Sequence, residues 1–336
     1  MHRLALTFYS VLKMPISDII YCAIEAERVG FEYVSLAESF YRDASVLSSS
    51  IASNRRRIKL GSSIYPISTR SPFQIAMVTG TLNELSNGRI GFIGLGIGYK
   101  ARIEQYFGLK LAKPITKMKE YTEIIKGLLS GEEFFSYKGK FFNFQDFPKL
   151  VPEVLNIPIL FGSSGDKMLK LAGKIADGVI LNSIGTEEYF KYAISVIHDA
   201  AKKANRDTKQ LEVASSTIFS VADKREDAID AARHDVLFYT LYPELDPVIE
   251  KTPYVQRVAK IREANAQGES KKALSLVTDD MVEDLAIVGS AKECRDKINK
   301  LYDYGITLPV VRVSVKPFKD DLRKEAFLRA IEALKN

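Results

Sequence analysis

The chain alternates between short apolar segments and longer segments in which apolar residues recur every three or four positions. Short apolar runs are typical of buried β-strands, and the longer spacing is typical of helices that bury one face. The apolar runs predict strands at residues 4–9, 33–37, 58–64, 90–95, 157–161, 178–181, 211–221 and 310–313. The helical spacing predicts helices at residues 17–29, 45–52, 71–85, 114–129, 167–175, 187–204, 225–237 and 321–334.

Several helix ends carry specific signals. Ser17 stands where a capping hydroxyl is expected, and Gly30 follows the last apolar position of the same segment. Ser71 and Pro72 combine a capping residue with a proline at the first helical position. Serine at the cap, proline at the first turn and glycine after the end are the residues that helices favour there.

The order of elements predicts the fold. A strand followed by a helix, repeated about eight times, favours a (β/α)8 TIM barrel. An open doubly wound sheet is the alternative, because the repeat itself does not show closure. We expect one domain over residues 1–336, with insertions near 131–150 and 239–280. The first insertion is rich in aromatic residues and has a turn at Lys138 and Gly139, which suggests a hairpin.

Composition narrows the class of protein. The chain has 336 residues, of which 46% are hydrophobic and 27% charged, as expected of a globular protein. No apolar run approaches the roughly 18 residues of a membrane span. The net charge is +6, but basic and acidic residues are interleaved, so we expect neither a nucleic-acid nor a membrane partner. Two distant cysteines, Cys22 and Cys294, favour a reducing, cytoplasmic location.

Residues 88–100 carry five glycines in the sequence G-R-I-G-F-I-G-L-G-I-G-Y-K. A dinucleotide-binding loop would need G-x-G-x-x-G, but Gly94, Gly96 and Gly98 place the third glycine one position early. Lys100 follows Tyr99 rather than a glycine, so a P-loop is excluded as well. Glycines at a strand end permit either close approach of a flat ligand or tight packing at a barrel corner.

A better phosphate-binding candidate lies where a strand gives way to a helix, at Gly162, Ser163, Ser164 and Gly165. Small residues there expose backbone N–H groups, the two serines supply hydroxyls, and a helix N-terminus favours an anion. Asp166 follows directly, and it can instead occupy this position as an ordinary helix cap.

Familiar catalytic motifs are absent from the sequence. It has three histidines, no cluster with metal-ligand spacing and no G-x-S-x-G nucleophile motif, so we expect no metal. A barrel with a phosphate loop but without a nucleophile suggests that a bound cofactor carries the reaction.

Several motifs, taken in order, identify a resemblance to a known family. They are I-K-L-G at 58–61, R-S-P at 70–72, L-N-E-L-S-N-G-R-I at 82–90, G-L-G-I-G at 94–98, K-P-I at 113–115 and M-L-K-L-A-G-K-I-A-D-G at 168–178. Together they resemble the bacterial luciferase-like superfamily, and most closely its deazaflavin-dependent methylenetetrahydromethanopterin reductases of archaea. The resemblance is strong over residues 4–204 and looser beyond them.

The resemblance implies a luciferase-like barrel, assembled as a homodimer or homotetramer, with coenzyme F420, or alternatively FMN, at the C-terminal ends of its strands. A bulge with a non-proline cis peptide, which backs the ring in this family, corresponds to Ser63 and Ile64. The resemblance also places the coenzyme phosphate at 162–165. Gly96 and Gly98 would let their strand approach the ring, and Asn182 would add a polar contact unless it caps a helix.

Glu38 matches an acidic residue of these reductases and is the candidate catalytic residue, as a ligand-binding group or a proton donor. An exposed carboxylate at a loop start is the structural alternative. Three positions depart from the family pattern: a histidine is Ser39 here, and two acidic residues are Thr7 and Tyr99. These departures concern the pterin substrate more than the coenzyme.

The leading hypothesis is therefore hydride transfer between coenzyme F420 and a small electrophilic substrate. An FMN-dependent luciferase-like monooxygenase is the alternative, and a non-catalytic cofactor-binding protein is a third possibility.

Overall fold

The computed structural model describes residues 3–9, 13–38, 41–54, 57–315 and 320–335, and its strands form a closed barrel with a separate hairpin. In chain order the strands are β1 (Ala5–Tyr9), β2 (Tyr33–Ala37), β3 (Lys59–Ser62), β4 (Tyr65–Pro66), β5 (Ile90–Gly96), β6 (Phe134–Lys138), β7 (Asn143–Pro148), β8 (Ile159–Ser163), β9 (Gly178–Leu181), β10 (Glu212–Val221), β11 (Ile287–Gly289) and β12 (Leu308–Val313).

Pairing between the first and last strands closes the barrel. Parallel neighbours follow the order β1, β2, β3, β5, β8, β9, β10 and β12, and β12 pairs with β1 again through Val310 and Ala5. The predicted (β/α)8 TIM barrel is thereby confirmed over the described residues, and the open doubly wound sheet is wrong. β4 and β11 pair only at the margins, with β5 and β10 respectively.

Helices surround the barrel. They are α1 (Ile16–Val29), α2 (Ala44–Asn54), α3 (Pro72–Leu85), α4 (Lys100–Phe107), α5 (Pro114–Leu128), α6 (Asp166–Ile175), α7 (Glu187–Lys203), α8 (Arg225–Thr240), α9 (Asp246–Ile249), α10 (Val255–Ala266), α11 (Ser270–Ser275), α12 (Asp279–Leu285), α13 (Ala291–Asp303) and α14 (Asp320–Ala333). Short 3-10 turns lie at Thr208–Gln210 and Pro243–Leu245. None of the described helices combines the length and apolarity needed to cross a membrane.

Two of the predicted helix ends, at Ser71 and Gly30, are found in the structure, and one, at Ser17, is not. Ser71 Oγ accepts the Gln74 N–H at 3.1 Å, and Gln74 Oε1 accepts the Ser71 N–H at 3.0 Å, so α3 begins with a reciprocal capping box. Gly30 ends α1 in the left-handed region at φ 101°. The predicted cap Ser17 lies inside α1 instead, because the helix begins at Ile16 after Pro15.

The interior of the barrel is filled with side chains. Residues from most barrel strands form a cluster of their own, consisting of Ala5, Tyr33, Phe92, Leu160, Ile180, Ala214, Leu308 and Val310. Gly61 makes room for the Phe92 ring, since a Cβ there would lie 2.3 Å from Phe92 Cζ. A filled interior leaves the C-terminal ends of the strands as the place for a ligand.

The two predicted insertions form different structures. β6 and β7 make an antiparallel hairpin with Gly139 in its turn, whereas residues 239–280 are mostly helical. The sequence pattern predicts no elements in that helical segment, nor does it predict β4, α4, β11 or α13. The assignment of one domain with two insertions stays a prediction.

Glu120 of α5 anchors the hairpin. Its side chain is buried, and Oε1 accepts the Lys140 N–H at 2.8 Å. Oε2 accepts the N–H groups of Phe141 and Phe142 at 2.9 and 3.2 Å. One carboxylate therefore satisfies three successive backbone donors at the end of the hairpin.

We predict that Glu120→Ala lowers the free energy of unfolding by about 2–4 kcal/mol, because three backbone donors lose their acceptor. Glu123→Ala is the matched control on the same helix, since Glu123 bonds only the Tyr137 hydroxyl of the hairpin at an exposed position. It should cost less than about 1 kcal/mol. Urea unfolding of both variants checks this, and equal losses would contradict the anchoring role.

Candidate functional site

A cavity of about 650 Å³ opens at the C-terminal ends of the barrel strands. All eight barrel strands, or the loops that directly follow them, contribute to its wall. This is the face at which barrel enzymes bind their substrates.

The structure brings all the predicted site residues to this one cavity. Its lining includes Glu38, Ser63, Ile64, Gly96, Gly98, Gly162, Ser163, Ser164, Gly165 and Asn182. The two departures Thr7 and Tyr99 also line it, whereas Ser39 lies outside the described residues. These residues are close enough together to form one binding site, and their individual roles stay predictions.

The bulge after β3 has the expected backbone. The peptide bond between Ser63 and Ile64 is cis. The Ser63 N–H donates to the Leu36 carbonyl at 2.9 Å, and the Ile64 carbonyl accepts the Glu38 N–H at 3.3 Å. These bonds tie the bulge to the end of β2, next to Glu38.

The glycines of β5 make room for this bulge. A Cβ on Gly96 would lie 2.6 Å from Ile64 Cδ1, and one on Gly94 would lie 2.0 Å from the Ser62 carbonyl oxygen. On β8, a Cβ on Gly162 would lie 3.1 Å from Ile64 Cγ2. Gly94 and Gly96 thus serve tight packing against the bulge. Ile64 in turn presents an apolar surface to the cavity.

The segment from Gly162 to Gly165, here called the serine loop, comprises the last two residues of β8 and the two residues before α6, and it has the polar character expected of an anion site. Ser163 Oγ is buried without a hydrogen-bond partner among the described residues. Gly165 precedes α6 and supplies no side-chain cap, so the first N–H groups of the helix face the loop. The Tyr189 hydroxyl donates to the Ser164 carbonyl at 3.0 Å and fixes the loop from below.

Asp166 does not cap α6. Its Oδ1 accepts the Tyr192 hydroxyl at 2.5 Å, and its Oδ2 lies 3.2 Å from Lys170 Nζ. The hydrogen bond from Tyr192 lowers the pKa of Asp166 and favours its ionised form. The Asp166 carboxylate therefore bonds side chains of α6 and α7 and does not accept hydrogen bonds from the serine loop.

Glu38 is held by Arg70, a residue that the sequence analysis noted only as part of a motif. Arg70 Nε and Nη2 donate to the two Glu38 oxygens at 2.6 and 2.5 Å, and Nη2 also bonds Asp43 at 2.7 Å. The hydrogen bond to Glu38 raises the pKa of Arg70. Both side chains are largely buried, so the pair fixes the direction of the carboxylate at the cavity.

A neutral network of hydroxyls replaces the expected acid of β1. Thr7 Oγ1 lies 3.0 Å from Ser63 Oγ, and Ser63 Oγ donates to Ser35 Oγ at 2.9 Å. Thr7 therefore braces the bulge. No cluster of three or more histidine, cysteine, aspartate or glutamate residues that could hold a metal occurs in the part of the chain that the structure describes.

Tyr99 belongs to an aromatic wall. Its ring stacks on Tyr242 at 3.9 Å between centroids. Burial raises the pKa of the Tyr99 phenol, and a hydrogen bond with Asn182 opposes that shift in part. Asn182 also accepts the Ser183 N–H at 2.6 Å, whereas Thr186 caps the following helix α7. The capping alternative for Asn182 is therefore wrong.

Sequence reasoning missed a buried ion pair in the same cavity wall. Arg312 of β12 lines the cavity and lies 3.2 Å from Asp235 of α8, and both side chains are buried. The signal was present in the sequence V-V-R-V, where an arginine interrupts an otherwise apolar strand. Only the fold reveals its partner, because Asp235 lies on a distant part of the chain.

Comparison with known proteins places the chain among barrel enzymes. The protein family described as luciferase-like monooxygenase matches residues 4–308. A 5,10-methylenetetrahydromethanopterin reductase of Methanolobus tindarius is 33% identical over 310 residues, which cover 91% of this chain and 93% of that protein.

Solved structures agree with this result. A coenzyme F420-dependent tetrahydromethanopterin reductase from Methanopyrus kandleri superposes with a TM-score of 0.85 and 27% identity, covering 99% of this chain and 98% of the other. An F420-dependent secondary alcohol dehydrogenase, in complex with an F420–acetone adduct, has a TM-score of 0.79 at 19% identity and covers all of both chains. The second likeness shows the fold alone.

We predict that Gly96→Ala lowers the free energy of unfolding by about 1–3 kcal/mol, because its Cβ overlaps Ile64. Adding Ile64→Ala should relieve the overlap, so the double variant should lose less than the sum of the two single variants. Gly165→Ala is the matched control, since the nearest atom to its Cβ is Pro247 Cγ at 3.7 Å. Additive losses in a double-mutant cycle of urea unfolding would contradict the contact.

Proposed function

We propose that this chain, which belongs to the luciferase-like monooxygenase family, is a coenzyme F420-dependent oxidoreductase that acts on a small electrophilic substrate. The observation that carries the proposal is the buried, unpartnered Ser163 hydroxyl, in a loop that opens into a cavity with an apolar floor at Ile64. A flat ring with an anionic tail has the complementary chemistry. Relatives named as F420-dependent enzymes support the same class.

The residues present fit such a coenzyme. Ser163, Ser164 and the N–H groups between Gly162 and Gly165 would hold the phosphate, since a helix N-terminus and free donors favour an anion. Ile64, supported by Gly96, would contact the ring, and Gly98 would let the chain after β5 approach it. Asn182 would add a polar contact from the end of β9.

When bound, the reduced deazaflavin supplies a hydride from its C5 position. The chain's contribution is to bind coenzyme and substrate side by side and to exclude water, because fixed proximity lowers the barrier to transfer. Glu38 is the proposed catalytic residue: it orients a ligand group at the mouth, or exchanges a proton with it when the bond to Arg70 opens. The hydroxyls of Thr7 and Ser63 keep the floor neutral.

We further propose a substrate like that of methylenetetrahydromethanopterin reductases, which are named among the relatives. The FMN-dependent alternative draws only on solved structures that share less than a quarter of their residues with this chain, and these show the fold alone. The homodimer or homotetramer and the cytoplasmic location stay predictions.

Titration of the purified protein with each coenzyme tests the proposal. We expect coenzyme F420 to bind at least about tenfold more tightly than FMN, and Ser163→Ala to weaken F420 binding about tenfold, as loss of a bond to a charged group does. Ser48→Ala, which removes a buried hydroxyl of α2, should bind like the wild type. Equal or reversed coenzyme preference would reject the proposal.

We predict that Glu38→Gln lowers kcat for hydride transfer to methylenetetrahydromethanopterin about tenfold or more, with F420 affinity nearly unchanged. The rise in visible absorbance as the reduced deazaflavin is oxidised measures the rate. Asp43→Asn is the control, because Asp43 shares Arg70 with Glu38 but is half exposed. It should keep most of the activity. Full activity of Glu38→Gln would remove Glu38 from the reaction.

A further inference from the structure

Arg312 occupies an unusual position at the mouth of the barrel. It is only 6% exposed, yet it lines the cavity. The guanidinium carbon lies 4.1 Å from the centroid of the Tyr9 ring and 5.2 Å from that of Tyr239. Two aromatic rings thus hold its orientation, and cation–π attraction supports the contact.

The pairing of Arg312 with Asp235 leaves donors unused. The closest atoms, Nη1 and Oδ1, are 3.2 Å apart, but Arg312 Nη1 and both Asp235 oxygens lack a well-aligned hydrogen bond among the described residues. Asp235 is fully buried and balances the charge. Nη1 is itself buried beside Asp235. Guanidinium carries a planar fork of N–H donors that stays charged, so Arg312, which lines the cavity, has other donors for an acceptor there.

The place of Arg312 on the rim separates it from the proposed phosphate loop. The serine loop lies at the end of β8, whereas Arg312 lies on β12, and β9 and β10 stand between these strands around the barrel. Ser163 lies beside the N-terminus of α6, which favours an anionic tail. Arg312 is therefore separate from the group that would bind the anionic tail.

We propose that Arg312 is a specificity-determining residue that binds a planar oxygen acceptor of the substrate, either a carboxylate or the carbonyl oxygen of a ring amide. This inference rests on the proposed function of the same cavity. A planar acceptor matches the guanidinium fork, since two parallel N–H···O bonds suit a carboxylate and one strong bond suits a carbonyl. Asp235 acts as a positioning residue, because it holds the guanidinium without consuming its aligned donors.

The test uses benzoate and 2-pyridone as probes for the two acceptors, with benzyl alcohol as a ring that lacks a planar acceptor. Arg312→Lys keeps the charge but removes the planar fork. Arg312→Met combined with Asp235→Asn removes both charges, which avoids leaving a buried carboxylate without a partner. Arg225→Lys is the control, because it makes the same arginine-to-lysine substitution in an exposed ion pair with Glu283.

Calorimetric titration should show that the wild type binds benzoate or 2-pyridone about tenfold more tightly than either Arg312 variant does. The KM for methylenetetrahydromethanopterin should rise by a similar factor, while the Kd for F420 stays within about twofold. The probe that loses affinity identifies the acceptor as carboxylate or carbonyl. Arg225→Lys should behave as the wild type.

Probe affinities that are equal in the wild type and both Arg312 variants, or no preference over benzyl alcohol, would overturn the inference. Loss of F420 affinity in the variants would overturn it too, because Arg312 would then belong to the coenzyme site. Failure of the wild type to bind F420 would reject the proposed function instead, and the probe titrations would still decide the role of Arg312.

Discussion

The contact of Ile64 with Gly96 and Gly162 is the constraint on which the cavity depends. Ile64 projects from the bulge after β3, and neither glycine could carry a Cβ without pressing on it. Three neighbouring barrel strands, β3, β5 and β8, are thereby fixed relative to one another at their C-terminal ends. Ile64 forms the apolar floor of the cavity, and Gly162, which it contacts, is the first residue of the serine loop at the end of β8. The floor and the loop are therefore supported by the same side chain.

The charged side chains at the cavity occur as ion pairs. Glu38 is held by Arg70 on one part of the rim, and Asp235 accompanies Arg312 on another. Between the charged groups, Thr7 and Ser63 line the cavity beside Ile64, and the buried Ser35 accepts a hydrogen bond from each of these two hydroxyls. Buried charges are costly when unpaired, so pairing lets the chain place directional groups near a ligand without destabilising the barrel. The two pairs differ in their hydrogen bonds. Arg70 donates two aligned hydrogen bonds to Glu38, whereas Arg312 lies close to Asp235 without an aligned hydrogen bond to it.

Local patterns predicted much of the fold, because apolar periodicity reports strands and helices that pack on one core. They failed for residues 239–280, where α9 and α11 have only four and six residues, although α10 has twelve. They also failed for Ser17, where Pro15 sets the start of the helix. The serine loop was predictable from small residues between a strand and a helix. The bulge at Ser63 and Ile64 came from family resemblance, since its residues carry no local signal. The partners of Arg70 and Arg312 could not be predicted, because strands and helices distant in sequence bring them together.

A crystal structure of this chain with oxidised coenzyme F420 would show directly how the cavity is used. We expect a phosphate oxygen within hydrogen-bonding distance of Ser163 Oγ and one face of the ring in van der Waals contact with Ile64. A phosphate bound elsewhere on the rim, or a ring that does not touch Ile64, would contradict this expectation.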